Sequence, residues 1–259
     1  MTMPQLPADW EETRTTLQAY GQALTALPRA AGIPDDRWNH VSMTIDSVGL
    51  VTAPTPLADG SSLVSTIDLK THTIVIAAGD DVERIDVRSG PSPLSIGETL
   101  LEFASKHGSE IVAETERFSN PDQLPYNADH ASAFFAVAAY VSGAFEEMNA
   151  AIPGEIAGPH LWPHGFDIVT EWYSTKKVPY GESEARAQIA VGFYPANESY
   201  FYANPWPYEE PWGANPPFPG STWHLEGWQG AVIPPSDLDT ESIVAFGTSV
   251  HDLARDSLT

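Results

Sequence analysis

The sequence contains no cysteine, and this absence excludes several kinds of chemistry at once. Disulfides, thiolate metal ligands, iron–sulfur clusters and cysteine nucleophiles all need that side chain. The sequence also lacks a Gly-x-Gly-x-x-Gly or Walker loop, a His-Glu-x-x-His zinc helix and a Gly-x-Ser-x-Gly elbow. These absences disfavour dinucleotide oxidoreductases, P-loop NTPases, zincins and α/β-hydrolases. Any catalysis must therefore rely on histidine, carboxylate or hydroxyl groups.

Basic side chains are scarce. The 259 residues include 12 lysines and arginines against 35 aspartates and glutamates, a formal net charge of -23. The acid is spread evenly, with 19 acidic and 8 basic residues in 1–129 and 16 and 4 in 130–259. Such a surface repels a phosphate backbone and an anionic bilayer. We therefore expect neither nucleic acid nor a membrane as a partner.

Long apolar runs are absent as well. The longest uncharged apolar stretch, residues 131–145, would span about 22 Å as a helix, which is short of a bilayer core of roughly 30 Å. The first nine residues lack the basic and apolar regions of a secretory signal. We expect a soluble, cytoplasmic bacterial protein in which residues 131–145 form a buried helix.

Hydrophobic periodicity predicts an α+β fold, with antiparallel sheet covered by about four helices. Apolar residues recur at helical spacing from Trp10 to Leu27, after a capping-box-like start at Asp9. Ser92 and Pro93 open a second helix, and Asp129 is expected to cap a third. Residues 236–258 form the last predicted helix.

Both halves of the chain are predicted to run helix, strands, helix. The strand-like runs include one long strand over residues 160–173. Residues 119–127 have linker composition and separate the halves, 1–119 and 128–259. We expect one compact unit, residues 1–259, and a degenerate duplication of its halves is a hypothesis.

Several short segments together resemble a bacterial protein family catalogued as a domain of unknown function. They are Trp38-Asn39-His40-Val41, Asp129-His130-Ala131-Ser132, Pro159–Ile168, Gly192-Phe193-Tyr194-Pro195 and Phe201-Tyr202-Ala203. The resemblance covers nearly the whole chain and implies no activity, cofactor or catalytic residue. It does imply that His130, His160, Trp162 and Asp167 belong together.

A first candidate site uses His160, His164 and Asp167. A bend at Pro163 and Gly165 would let these side chains approach one metal ion, with His40, His130 or His224 completing the set for a metal-assisted hydrolase. The alternative is histidines satisfied by hydrogen bonds beside an aromatic core, and on that interpretation no metal is expected. His130, His164 and Asp167 are the candidate catalytic residues, and His130 could act as a base at a helix start.

A second candidate site lies in residues 193–228, where 11 of 36 residues are aromatic and seven are proline. Rigid rings on proline-rich loops suit a small polar or aromatic ligand. The predicted lining consists of His160, Trp162, Tyr202, Trp206 and Trp212. Two alternatives are a loop that merely covers the sheet and a homodimer patch that includes Trp212. The cofactor, if there is one, is not indicated.

Overall fold

The computed structural model describes residues 2–236 and 238–259. In these residues there are four α-helices: α1 (Glu11–Ala31), α2 (Pro93–Lys106), α3 (Ala128–Ala151) and α4 (Thr240–Leu258). The strands are β1 (Met43–Ile45), β2 (Gly49–Thr52), β3 (Thr55–Pro56), β4 (Ser62–Asp68), β5 (Thr73–Ala78), β6 (Asp81–Asp86), β7 (Glu155–Trp162), β8 (Asp167–Tyr180), β9 (Ser183–Tyr194), β10 (Tyr200–Trp206), β11 (Thr222–His224) and β12 (Gly230–Ile233).

The strands form one antiparallel sheet, which confirms the predicted α+β class. Its order is β11-β12-β10-β9-β8-β7-β1-β2-β4-β5-β6, and β3 pairs with β4. Along the chain, a helix, six strands and a helix are followed by the same series again. This order is the one predicted for the two halves, while their duplication stays a prediction. Within the described part of the chain, no helix is long and apolar enough to cross a membrane.

The chain divides into two compact units. The N-terminal unit comprises residues 5–139 and 160–166, and the C-terminal unit comprises the described residues among 1–4, 140–159 and 167–259. The predicted linker 119–127 therefore lies inside the N-terminal unit. The division falls within α3, within β7 and between β7 and β8. The predicted single compact unit with two similar halves stays a prediction.

The N-terminal unit is organised around α1. Apolar residues at helical spacing, including Leu17 and Leu24, are fully buried along one side of this helix. Trp10 stacks on Phe134 with ring centroids 5.3 Å apart and planes 11° apart. Tyr20 donates a hydrogen bond from its hydroxyl to the carbonyl of Pro91 at 2.9 Å. Aromatic stacking and a satisfied buried hydroxyl thus anchor α1.

Two of the predicted helix caps are wrong. The N-cap of α1 is Trp10, with no side-chain cap bond, and Asp9 instead lies 3.3 Å from His130. At α3, the Asn127 side chain accepts hydrogen bonds from the backbone N–H groups of Asp129 and His130. Asn127 precedes the helix, so its oxygen reaches the unsatisfied N–H groups of the first turn, whereas Asp129 already lies in that turn.

The predicted start of α2 is confirmed. Ser92 is the N-cap, and its hydroxyl accepts a hydrogen bond from the backbone N–H of Ser95 at 3.1 Å. Pro93 occupies the first helical position, where its missing N–H costs nothing. This local chemistry marks the beginning of the helix, and the carbonyl of Asn120 accepts a further hydrogen bond from the backbone N–H of Leu94 at 3.0 Å.

The single long strand predicted over residues 160–173 is two strands. β7 ends at Trp162 and β8 begins at Asp167. Between them, Pro163 cannot donate to a strand ladder, and Phe166 has a left-handed backbone with φ 60°. The N–H of Phe166 donates to the carbonyl of Trp162 at 2.7 Å and closes the turn. The alternation that would place His160 and His164 on one strand face is therefore lost.

The sheet of the C-terminal unit has two different faces. Ile189, Val191 and Phe193 of β9 are buried on the face that carries the helices. Phe145 of α3 contacts Phe201 on that face, with ring centroids 6.3 Å apart. On the opposite face, side chains of β9 and β10 alternate with the buried ones and are half-buried. We call this second surface the open face.

Candidate functional site

The open face brings together side chains that are far apart in sequence. The strand register aligns Val169 of β8, Gly192 of β9 and Tyr202 of β10 in one row across the sheet. The next row begins with Glu171 of β8 and continues through Ala190 to Asn204. Small residues on the middle strand leave room above β9, so larger side chains of the outer strands can meet over it.

Tyr202 uses this room to reach Asp167. A Cβ atom on Gly192 would lie 2.3 Å from Cζ of Tyr202, so only glycine allows the ring to lie across β9. The Tyr202 hydroxyl donates a hydrogen bond to Oδ2 of Asp167. A hydrogen bond to a carboxylate is among the stronger kinds in proteins, and it orients both groups.

The tyrosine keeps its proton in this environment. Burial raises the pKa of Tyr202 well above its usual value of 10, and the carboxylates of Asp167 and Glu171 raise it further. Burial also raises the pKa of Tyr200, with Tyr194 and Asp167 adding to the effect. Both hydroxyls are therefore neutral hydrogen-bond donors near pH 7, and Asp167 is an acceptor beside them.

Aromatic rings continue from Tyr202 in both directions. On one side, the ring centroid of Tyr200 lies 6.3 Å from that of Tyr202 and 5.5 Å from that of Tyr194. On the other side, Trp228 lies 5.9 Å from Tyr202 and 4.5 Å from His224. All five residues are half-buried. The open face thus carries a continuous row of rings that present part of their surface to solvent.

Two carboxyl groups belong to this arrangement. Asp167 and Glu171 lie four residues apart on β8, and strand alternation points both toward the open face. Asp167 is half-buried, whereas Glu171 is only 4% exposed. Negative charge beside aromatic rings favours a ligand that carries positive charge or hydrogen-bond donors.

The predicted metal ligands are divided between the two units. His160 is 5% exposed and contacts the edge of Trp162, with ring centroids 4.7 Å apart, in the N-terminal unit. His164 is exposed and lies 5.9 Å from the Trp162 ring. Asp167 instead accepts the bond from Tyr202 in the C-terminal unit. No group of three histidine or carboxylate side chains able to hold a metal ion occurs among the described residues.

The other histidines singled out by the sequence have local partners. His130 lies 3.3 Å from the exposed carboxylate of Asp9. His40 accepts a hydrogen bond at Nδ1 from the backbone N–H of Asp35 at 3.3 Å. His224 packs against Trp228, and this contact places it beside the row of rings. His130 thus lies at the start of α3, as predicted, and its catalytic role stays a prediction.

The tryptophans of the predicted pocket separate into different surroundings. Trp206 contacts the edge of Tyr180, with ring centroids 5.8 Å apart. Trp212 is 6% exposed and packs against Tyr208 in a short 3-10 helix, Glu210–Ala214. Trp212 therefore has the burial expected of a covering loop. Tyr202, one of the five residues predicted to line the pocket, contacts the Asp167 carboxylate.

The sequence contains a signal for the aromatic side chains of β10 that lie on the open face. Tyr200 and Tyr202 follow a two-residue period, which places both on one face of a strand. Their association with Asp167 and Trp228 depends on strand register, and register is set by the whole sheet. A local pattern thus identifies the face but not the partners across it.

The comparisons with known proteins add a family. Residues 3–241 match the model of a family of unknown function (DUF5996). The chain belongs to this family. The matched range contains the whole row of rings and both carboxyl groups on the open face, and it confirms the resemblance drawn from the sequence. No curated protein and no solved structure matches the chain.

Proposed function

We propose that the open face of the C-terminal unit binds a small organic cation. The observation that carries this proposal is the pairing of Tyr202 with Asp167 inside a row of half-exposed aromatic rings. The hydrogen bond fixes the carboxylate, and the rings supply surfaces on which an ammonium group and its apolar substituents can rest. We expect a ligand with an amine and a flat or branched apolar part.

The energetics of such a site follow from two known interactions. A cation over an aromatic face contributes about 0.5–1 kcal/mol at an exposed site and about 2 kcal/mol when water is excluded. A hydrogen bond to a charged group contributes about 1.5–3 kcal/mol. Together they contribute about 2–5 kcal/mol, which supports weak binding with a Kd near 1 mM, because 1 mM corresponds to about 4 kcal/mol.

The overall charge of the chain also favours a cationic ligand. A chain with net charge -23 attracts cations and repels anions over a distance of about 10 Å at 0.1 M salt. Asp167 and Glu171 concentrate that attraction on one face, beside rings that a hydrated metal ion could not use. Organic cations can use both the charge and the rings, which makes them the ligand class that fits best.

Binding is tested with a pair of probes that differ mainly in charge. Benzylamine is positively charged at pH 7, whereas benzyl alcohol has the same ring and no charge. We expect benzylamine to raise the melting temperature of the protein in proportion to the logarithm of its concentration, and benzyl alcohol to have little effect. Asp167→Asn should abolish the benzylamine response.

Glu146→Gln is the matched control for loss of one negative charge. Glu146 is exposed on α3, whose neighbour Phe145 packs on the helix-bearing face of the sheet. This variant should retain the full response to benzylamine. Equal responses to benzylamine and benzyl alcohol, or equal loss in both variants, would overturn the proposal, since either result means that the Asp167 carboxylate does not recognise the cation.

A further inference from the structure

A second cluster of functional groups lies in the N-terminal unit and contains arginine and histidine side chains. Arg29 occupies the last turn of α1. Two short 3-10 helices, Asn39–Val41 and Thr115–Phe118, pack against α1 and supply His40 and Arg117. In a chain with only 12 basic residues, two arginines and a histidine on three adjoining elements are a notable concentration.

Arg29 has an unused hydrogen-bond donor. Its Nε atom is buried and has no hydrogen-bond partner among the described residues. Arg117, by contrast, donates from Nε to Glu114 at 2.6 Å, and Arg37 is paired with Asp35. A buried donor without a partner destabilises the fold, so an acceptor that reaches it would recover free energy.

The electrostatic environment of Arg29 also favours an anion. Burial lowers the pKa of Arg29, the positive charge of Arg117 lowers it further, and Glu114 opposes the shift. Burial lowers the pKa of His40 as well, and among the neighbouring charges Asp35 raises it while Arg29 lowers it. Arg29 therefore interacts electrostatically with both Arg117 and His40, and a bound negative charge would reduce the repulsion between the two arginines.

Trp38 forms an exposed wall beside this cluster. Its side chain is 57% exposed, and its ring stacks on His40 with centroids 5.7 Å apart and planes 22° apart. The backbone of Trp38 is left-handed, with φ 61°. A bulky side chain rarely adopts this conformation, and strained residues are concentrated at functional sites. The conformation holds the indole ring in solvent next to the His40 imidazole.

We propose that Arg29, Arg117 and His40 form a binding site for a small oxyanion, a carboxylate or a phosphate group, with the Trp38 ring as one wall. Arginine suits this ligand class because its planar guanidinium donates two parallel hydrogen bonds to oxygen pairs. The ring of Trp38 would cover an unsaturated group attached to the anion. This site is independent of the cation site on the open face.

The helix dipole offers a simpler reason for Arg29, because cations stabilise helix C-termini. That effect accounts for a cation in the last turn of α1. It does not account for the buried Nε of Arg29, which has no hydrogen-bond partner among the described residues, or for the exposed Trp38 with its left-handed backbone. Oxyanion binding accounts for all three features.

The test is a titration of the full chain with inorganic phosphate, and separately with benzoate, followed by Trp fluorescence and by calorimetry. We expect saturable binding of one or both anions, and the comparison of the two identifies whether phosphate or carboxylate is preferred. Arg29→Gln should weaken binding by about tenfold or more, the effect of one lost charge-assisted hydrogen bond. Arg29→Lys should have an intermediate effect, because lysine keeps the positive charge but cannot donate two parallel hydrogen bonds.

Arg84→Gln is the matched control, since Arg84 is exposed on β6 of the same unit and its loss changes the net charge equally. Its affinity for both anions should equal that of the unmodified chain. Trp38→Phe should remove the fluorescence response while calorimetry still detects binding. Absence of saturable binding of either anion to the unmodified chain, or equal affinities in the Arg29→Gln and Arg84→Gln variants when both are folded by circular dichroism, would overturn the proposal.

Discussion

The hydrogen bond between Tyr202 and Asp167 makes a quantitative prediction about stability. Tyr202→Phe removes one hydroxyl and leaves the ring that lies across Gly192. A hydrogen bond to a charged group contributes about 1.5–3 kcal/mol. Asp167 is half-buried, so water can replace part of that bond, and we expect the free energy of unfolding to fall by about 1–2 kcal/mol. Urea denaturation at pH 7, with the slope m unchanged, measures this loss.

A double-mutant cycle isolates the bond from other effects of the substitutions. Tyr202→Phe, Asp167→Asn and the double variant should show a coupling of about 1 kcal/mol or more, since the two groups touch. Groups that do not interact add within about 0.3–0.5 kcal/mol. A coupling inside that range would refute the reasoning, because the hydroxyl and the carboxylate would then not stabilise each other in solution.

Three further predictions concern pH. The pKa of Tyr202 is raised in the folded chain, so its contribution to stability is present below pH 10 and is lost as the pH rises above 10. The melting temperature of Tyr202→Phe should therefore fall less above pH 10 than that of the unmodified chain. At an exposed site, hydrogen bonds from Ser61 and then from His107 lower the pKa of Asp59 to about 2, and Asp59 raises the pKa of His107. The ion pair of Asp59 with His107 stabilises the fold between pH 3.8 and pH 6.5, the ordinary pKa values of the two side chains. His107→Gln should therefore lower the melting temperature more at pH 5 than at pH 8. His251 is 1% exposed, and burial lowers its pKa. Its contribution to stability is therefore present above pH 6.5 and is lost as the pH falls, so His251→Leu should lose less stability between pH 7 and pH 5 than the unmodified chain. If the melting temperature of a variant changes with pH in parallel with that of the unmodified chain, the role given to that side chain is contradicted.

Local patterns predicted the elements well. The helical spacing of Leu17 and Leu24 and the Ser92-Pro93 start of α2 depend on neighbours within one or two turns, so they can be recognised from sequence. The errors occurred where two local signals competed. Pro163 favours a bend, whereas the apolar run across it favours one continuous strand. The structure has two strands there.

The candidate site could be predicted only in part. Asp167 and Tyr202 were both identified as functional candidates, but as members of different sites. Their contact requires β9 to lie between their strands with Gly192 opposite Tyr202, and that register is a property of the sheet. The metal set stays a prediction: the sequence indicates a bend at Pro163 and Gly165, and the structure has a turn there between β7 and β8.

A crystal structure of the chain soaked with benzylamine tests the central claim most directly. The account predicts the ammonium group within hydrogen-bonding distance of a carboxylate oxygen of Asp167, with the phenyl ring against Tyr200, Tyr202 or Trp228. Benzylamine found only at other surfaces, with the Tyr202–Asp167 pair unchanged and the rings uncovered, would contradict it. The same crystals soaked with benzyl alcohol provide the control, because the neutral ligand should leave the open face empty.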